Sequence, residues 1–301
     1  MAETTPVERI QWRGVTVRVK REDRNHPIVQ GNKLHKLKYN LMAAKQQKAK
    51  TLVTFGGAYS NHLLATAFVA QQAGLNATGV VRGEELKHAE EQWSETLNQC
   101  RQLGMRLEFV SRADYRLKQQ SEPIQHLLRD LGSYFIIPEG GSNPAAVQGV
   151  SEWLESIKEQ FKLAPSHLIC PVGTGGTLAG IIAGCGKNHW DCQIIGVAVL
   201  KGLQSVKYDV NQWLKQSNPG LKRSPDWSIT SDYCGAGYAR LSADMKQFGA
   251  RFKTQHGIAL DKIYNVKSFF ALDNMLKKGL IKSHHRPMII HTGGLQGGIV
   301  S

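Results

Sequence analysis

His167-Leu168-Ile169-Cys170-Pro171-Val172-Gly173-Thr174-Gly175-Gly176-Thr177-Leu178 is the stretch on which the fold turns. A short apolar run, 167–171, breaks into glycines, and a helical pattern over 177–185 follows. An apolar strand leading through a glycine turn into a helix is the unit from which parallel sheets covered on both faces are built. In such a turn the glycines let backbone N–H groups converge, the helix start adds partial positive charge, and the hydroxyls of Thr174 and Thr177 add donors. The expected ligand is a phosphate. The spacing is not G-x-G-x-x-G, because Leu178 stands where the third glycine would be, and no Gly-Lys-Ser/Thr follows. A tight connection without a ligand is the other reading of the same residues.

The same pattern recurs along the chain. Strand-like runs occupy 15–19, 51–55, 78–81, 106–110, 134–137, 194–200 and 287–291, and helical patterns at 61–73 and 145–161 lie between several of them. The alternation predicts an α/β protein with parallel-rich sheets covered by helices. The sequence has no internal repeat and no low-complexity tract, and 217–226, with two prolines and a glycine, reads as a loop. Two further glycine turns end strands, Gly56-Gly57 and His291-Thr292-Gly293-Gly294. Open α/β sheets place their ligands at the carboxyl ends of strands.

A chain of 301 residues buries a full core, and its length favours two lobes. It contains no run of 18 apolar residues, and Met1-Ala2-Glu3-Thr4-Thr5 lacks the basic and apolar regions of a signal peptide. A cytoplasmic protein with no membrane partner is expected. Five scattered cysteines, Cys100, Cys170, Cys185, Cys192 and Cys234, form no C-x-x-C pair and read as reduced, mostly buried thiols, with no metal site. The net charge of +14 raises the question of nucleic acid. The basic residues fall in short separate clusters without interleaved aromatics or a recognition motif, so a basic surface that attracts small anions is expected instead.

Two N-terminal runs suggest chemistry. Gly31-Asn32-Lys33-Leu34-His35-Lys36-Leu37 offers an amine able to hold a carbonyl cofactor, and Gly56-Gly57-Ala58-Tyr59-Ser60-Asn61-His62 sets small polar side chains at a strand-to-helix turn. Ser60 is equally a helix cap. If the segment from Asn32 is helical, Leu34, Leu37 and Leu41 share one stripe. Lys33 then lies beside its edge and reaches inward, while Lys36 points away to solvent.

With Lys20-Arg21-Glu22-Asp23 and Pro138-Glu139-Gly140-Gly141-Ser142-Asn143, these runs and the 173–177 loop occur in the order and approximate spacing of one family. The chain resembles the 1-aminocyclopropane-1-carboxylate deaminase and D-cysteine desulfhydrase family from about residue 15 to 294. The resemblance implies pyridoxal 5'-phosphate as cofactor and the two-domain fold type II of the tryptophan synthase β-type. It implies a larger domain, 1–37 with 145–301, a smaller α/β domain, 38–144, inserted into it, and a homodimer. Position by position, it implies that Lys33 holds the cofactor and then moves protons, and that Asn61 bonds the ring hydroxyl. Ser60, with Asn61 and His62, would meet the substrate. Val172, Gly173, Thr174, Gly175, Gly176 and Thr177 would hold the phosphate, and Tyr238 and Tyr264 would face the substrate.

The chain also departs from the pattern. Asn265 stands where the deaminases carry a glutamate against the pyridine nitrogen, and Thr292 replaces a nonpolar residue, making both candidate neutral partners of that nitrogen. A neutral partner supports the protonated ring less than a carboxylate does. Ser60-Asn61-His62 is closer to the desulfhydrase version. The expectation is therefore ammonia release from a small amino acid by D-cysteine desulfhydrase-like β-elimination. Opening of the cyclopropane amino acid is the alternative, and an inactive cofactor-binding protein the distant one. Gln30-Gly31 replaces a double glycine, and the chain stops soon after Gly298, where the family continues. Either change is expected to alter the pocket or the dimer contact.

Overall fold

The computed structural model describes residues 5–160, 163–202, 204–217, 225–237 and 239–300. In chain order its strands are β1 (Val7–Trp12), β2 (Val15–Arg21), β3 (Thr51–Gly57), β4 (Asn76–Arg82), β5 (Met105–Val110), β6 (Tyr134–Ile137), β7 (His167–Val172), β8 (Gln193–Ala198), β9 (Trp227–Thr230) and β10 (Pro287–His291). Its helices are α1 (Lys33–Gln46), α2 (Asn61–Gln72), α3 (Glu95–Gln102), α4 (Arg112–Leu117), α5 (Glu122–Leu131), α6 (Pro144–Lys158), α7 (Gly176–Lys187), α8 (Gln204–Ser217), α9 (Ala243–His256) and α10 (Asn265–Lys277).

The strands form two sheets, a six-stranded one in the order β1-β2-β10-β7-β8-β9 and a four-stranded one in the order β5-β4-β3-β6. Every pair is parallel except β1 with β2. Both faces of each sheet are covered. In the larger sheet, Val150, Leu154, Ile181 and Leu178 pack one face, and Phe248, Phe252, Phe269 and Leu272 the other. In the smaller, Leu63, Leu64 and Leu97 oppose Ile124, Leu127 and Tyr115. Burial on both faces is why β3 and β7 read as unbroken apolar runs.

The expected strands all form: 134–137 and 287–291 keep their bounds, 194–200 forms as 193–198, the others are longer by one to three residues, and β1 and β9 are additional. β1 is a half-exposed edge strand, and its sequence Val-Glu-Arg-Ile-Gln-Trp carries too few apolar residues to stand out. α6 starts with Pro144 in its first turn, and Asn143 Oδ1 accepts from the Ala146 N–H at 2.9 Å. Helix α1 lies on α6 so closely that a Cβ on Gly149 would stand 2.1 Å from the His35 carbonyl oxygen. The loop expected at 217–226 falls largely outside the described residues. No described helix is long and apolar enough to cross a membrane. All five cysteines are free and buried, as expected.

Candidate active site

The carboxyl ends of both sheets open on one cavity of about 750 Å³. Lys33, Ser60, Asn61, His62, Val172, Gly173, Thr174, Gly175, Thr177, Tyr264 and Thr292 all line it. Tyr238 lies outside the described residues.

The Lys33 loop is seated on the 20–25 segment. Gly31 N–H donates to the Glu22 carbonyl at 2.8 Å and to Asn25 Oδ1 at 2.9 Å, and Asn25 Nδ2 returns a bond to the Gly31 carbonyl at 2.8 Å. Beneath it, Lys20 and Glu22, each 1% exposed, sit 3.5 Å apart, with His35 Nε2 2.6 Å from Glu22. Burial pushes the Glu22 pKa up, but His35, Thr5 and Lys20 more than offset it and hold the group below its ordinary value. Burial lowers the Lys20 pKa despite Glu22. The loop is also pressed backbone on backbone against the end of β10. Gly31 has φ +89°, and a Cβ there would stand 1.8 Å from the Thr292 carbonyl oxygen. No other residue type fits this contact.

Asn32 links the lysine to the glycine loop. Its Oδ1 accepts from Lys33 Nζ at 2.9 Å while its Nδ2 donates to Thr177 Oγ1. Helix α7 begins at Gly176, slightly earlier than its pattern suggested, and its N-cap, Gly175, supplies no side-chain cap. Apart from the Gly176 N–H, which donates to Ser142 Oγ at 3.2 Å, the helix start thus faces the cavity with donors free for an anion. The Tyr264 ring stands between Lys33 and this loop, with Lys33 Nζ 5.9 Å from its centroid and Cε1 3.4 Å from where a Gly173 Cβ would lie.

Lys36 is the main correction to the sequence reading. It is 2% exposed and donates to Ser142 Oγ at 2.7 Å and to the Gly140 carbonyl. Ser142 Oγ also lies 2.6 Å from Thr174 Oγ1. A second lysine amine therefore stands behind the glycine loop. The leucine stripe of α1 pointed Lys36 to solvent, but this helix is covered on more than one side, by α6 and by the 139–141 turn. Burial and the Lys33 charge push the Lys36 pKa well down. Burial likewise lowers Lys33 to about 8, against an opposing pull from the Asp261 carboxylate.

At the other wall, Ser60 caps α2, its Oγ accepting from the Leu63 N–H at 3.3 Å, and Asn61 Oδ1 accepts from Gln296 at 2.9 Å. His62 is buried beneath them, its Nε2 2.8 Å from Thr54 Oγ1. Burial and the charges of Lys36 and Lys33 hold it neutral. Thr292 reaches the cavity, but Asn265 does not line it. The Asn265 amide is turned inward, donating to Asp261 and to the Gly293 carbonyl at 2.8 Å, while its Oδ1 accepts from the Thr292 N–H at 2.8 Å. Asn265 braces Thr292 rather than facing a ligand. Asp261, which the sequence reading missed, caps α10 by accepting from the Ile263, Tyr264 and Asn265 N–H groups at 2.8–2.9 Å. Lys267, also missed, is fully buried and donates to the carbonyls of Val199, Cys234 and Gly237 at 2.7–2.8 Å, tying the 234–237 loop to the exit of β8.

A doubly covered parallel fold, an uncapped helix start and a lysine amine of lowered pKa in one cleft define an enzyme of the pyridoxal-phosphate class. Residues 2–293 match the model of the pyridoxal-phosphate dependent enzyme family, and the chain belongs to that family. It is similar to the bifunctional D-cysteine desulfhydrase/1-aminocyclopropane-1-carboxylate deaminase of Arabidopsis thaliana, 28% identical over 94% of this chain and 73% of that protein. It is also similar to the D-cysteine desulfhydrase of Klebsiella pneumoniae, 26% identical over 93% and 87%. Among solved structures, an ACC deaminase homologue superposes with a TM-score of 0.84 at 26% identity, covering 99% of this chain and 93% of that one. The fold is therefore the type II pyridoxal-phosphate fold that the sequence resemblance implied. The site fits the cofactor on its own terms: anion donors at the α7 start backed by Lys36, an amine linked to them through Asn32, and room for a ring and an amino acid.

Proposed function

We propose that this enzyme releases ammonia from a small amino acid by β-elimination, with D-cysteine as the model substrate and pyruvate, ammonia and sulfide as products. Cyclopropane ring opening is the second reading, supported by the names of the relatives. The observation that carries the choice is Asn265. A neutral amide, saturated and turned away, stands where the resemblance puts the deaminase glutamate, and its Oδ1 accepts from both the Thr292 N–H at 2.8 Å and the Thr292 hydroxyl at 3.3 Å.

When bound, pyridoxal phosphate supplies an electron-withdrawing ring that stabilises charge at the α-carbon of the amino acid. Lys33 would hold the cofactor by its neutral amine and, once freed, would carry a proton to and from the substrate carbons. The loop 172–177 would grip the phosphate, with Lys36 bracing the loop from behind through Ser142. Asn61 would meet the ring hydroxyl, Thr292 the ring nitrogen, and Ser60 with the α2 start the substrate carboxylate. Tyr264 would border the leaving group. Thiolate leaves readily, so β-elimination demands less of the ring than opening a cyclopropane does.

Ammonia release across D-cysteine, L-cysteine, β-chloroalanine, D-serine and the cyclopropane amino acid tests this reading. D-cysteine or β-chloroalanine is expected to be best; the cyclopropane compound ranking first contradicts it. The rate of cofactor capture gives a second prediction. It requires the neutral amine, so with the Lys33 pKa at about 8 it rises about tenfold per pH unit from pH 6 and levels above 8. Stopped-flow growth of the visible band at several pH values reads this, and a rise continuing towards 10.5 contradicts it. Lys36→Met is expected to weaken pyridoxal phosphate binding by about tenfold or more, because the amine that ties Ser142 and Gly140 behind the glycine loop is lost, as read by titration of the same band.

The proposal extends to a smaller domain, 38–144, closing on the larger one, 1–37 with 145–301. Membership of the two sheets supports it. It extends also to a homodimer, carried over from the family resemblance, to a cytoplasmic location, expected of a sequence without a run of 18 apolar residues, and to no nucleic-acid partner, supported by the scattered basic residues.

A further inference from the structure

We infer that Arg82 is a carboxylate receptor for the amino acid, an assignment that rests on reading the cavity as an amino-acid site. Arg82 ends β4 in register with Gly57, the last residue of β3. Its Nη2 lies 3.5 Å from the point a Gly57 Cβ would occupy. The guanidinium therefore hangs over the glycine turn that leads into Ser60 and α2, and it lines the cavity together with Lys33.

The other cations nearby are engaged. Lys118 is paired with Glu139 at 2.9 Å, Arg112 faces Glu85 at 3.7 Å, and Lys36 is held by Ser142 and Gly140. Among the described residues no carboxylate pairs with Arg82. Its Cζ lies 5.6 Å from the ring centroid of Tyr115, a buried side chain anchored in the core of the small sheet, whose ring Lys118 Nζ approaches to 3.1 Å. Arg82 is thus a positioned cation with its charge left for a ligand. A guanidinium offers paired N–H donors in the plane a carboxylate needs and keeps its charge at any working pH. The start of α2 adds converging N–H groups on the same side. The carboxylate is either the one on the α-carbon or a second one on the side chain.

Loaded wild type and Arg82→Gln are titrated with alanine and with aspartate of each hand, and the shift of the visible band gives Kd. The variant is expected to bind about tenfold more weakly, and Arg82→Lys to recover part of the loss. Weaker binding of both amino acids assigns Arg82 to the α-carboxylate, and weaker binding of aspartate alone assigns it to a side-chain acid. Unchanged Kd values for both overturn the inference. A second arm needs no cofactor: modification of Arg82 in the full chain by butanedione, mapped by mass spectrometry, is expected to slow when the amino acid is present. Equal modification with and without the amino acid overturns the inference. A wild type that takes up no cofactor sinks the reading of the site itself, and the modification arm then decides Arg82 alone.

Discussion

Lys33→Ala is expected to abolish covalent cofactor retention and to cut amino-acid turnover by at least about a thousandfold, since one side chain supplies both the attachment and the proton transfer. The same substitution is not expected to destabilise the unloaded protein at pH 7. Lys33 has a folded-state pKa of about 8 against an ordinary 10.5, so in the interval between them the unfolded chain binds more protons than the folded one. Wild-type stability therefore rises with pH from about 8 to 10.5, and below that interval the cost of holding an ammonium in the cleft is carried in full. The alanine variant lacks both the cost and the rise. Denaturant titrations at pH 7 and pH 9.5 read the difference: wild type gains on the variant at the higher pH. A variant that melts far below wild type at pH 7, or keeps a tenth of the activity, contradicts the role given to Lys33.

Gly31→Ala is the second large effect. The residue has φ +89°, a conformation that costs an L side chain about 1–2 kcal/mol by itself. The added Cβ would also stand 1.8 Å from the Thr292 carbonyl oxygen and 2.6 Å from its carbonyl carbon, where backbone and not a flexible side chain must yield. Relieving that overlap separates the Lys33 loop from the end of β10, so the expected loss is on the order of 3–5 kcal/mol of stability together with a large drop in cofactor affinity. Gly14 provides the comparison. It has φ +74° with nothing within 4 Å of its Cβ position, so Gly14→Ala is expected to cost only the backbone term. Equal losses for the two variants in chemical denaturation would show that the Gly31 contact does not constrain the site.

The contrast between these glycines marks what the sequence could and could not reveal. Strands buried on both faces are written as unbroken apolar runs, and glycine turns at their ends are local features, so β3, β7, β10 and the turns after them were legible. The turns after β3, β7 and β10 place Ser60, the 173–177 loop and Thr292 around one cavity, because parallel strands present their carboxyl ends together. The edge strand β1 was not legible, because a half-exposed strand needs few apolar residues. Lys36 was misread because the periodicity argument grants a helix a single buried face, whereas α1 is enclosed by α6 on one side and by the 139–141 turn on another. That second contact is made by residues more than a hundred positions away. Asn265 sits at a position that the sequence resemblance suggested, but its amide direction is set by Asp261 and by the Gly293 carbonyl, partners that only the folded chain brings together. Arg82 gave no signal at all, because an arginine at a strand end is ordinary until the neighbouring cations are seen to be paired.

The central claim is tested most directly by incubating the purified protein with pyridoxal phosphate, reducing with borohydride, and locating the fixed cofactor by peptide mass spectrometry. The cofactor mass is expected on the peptide containing Lys33 and on no other. Its appearance on Lys36 or another lysine, or on none, contradicts the account.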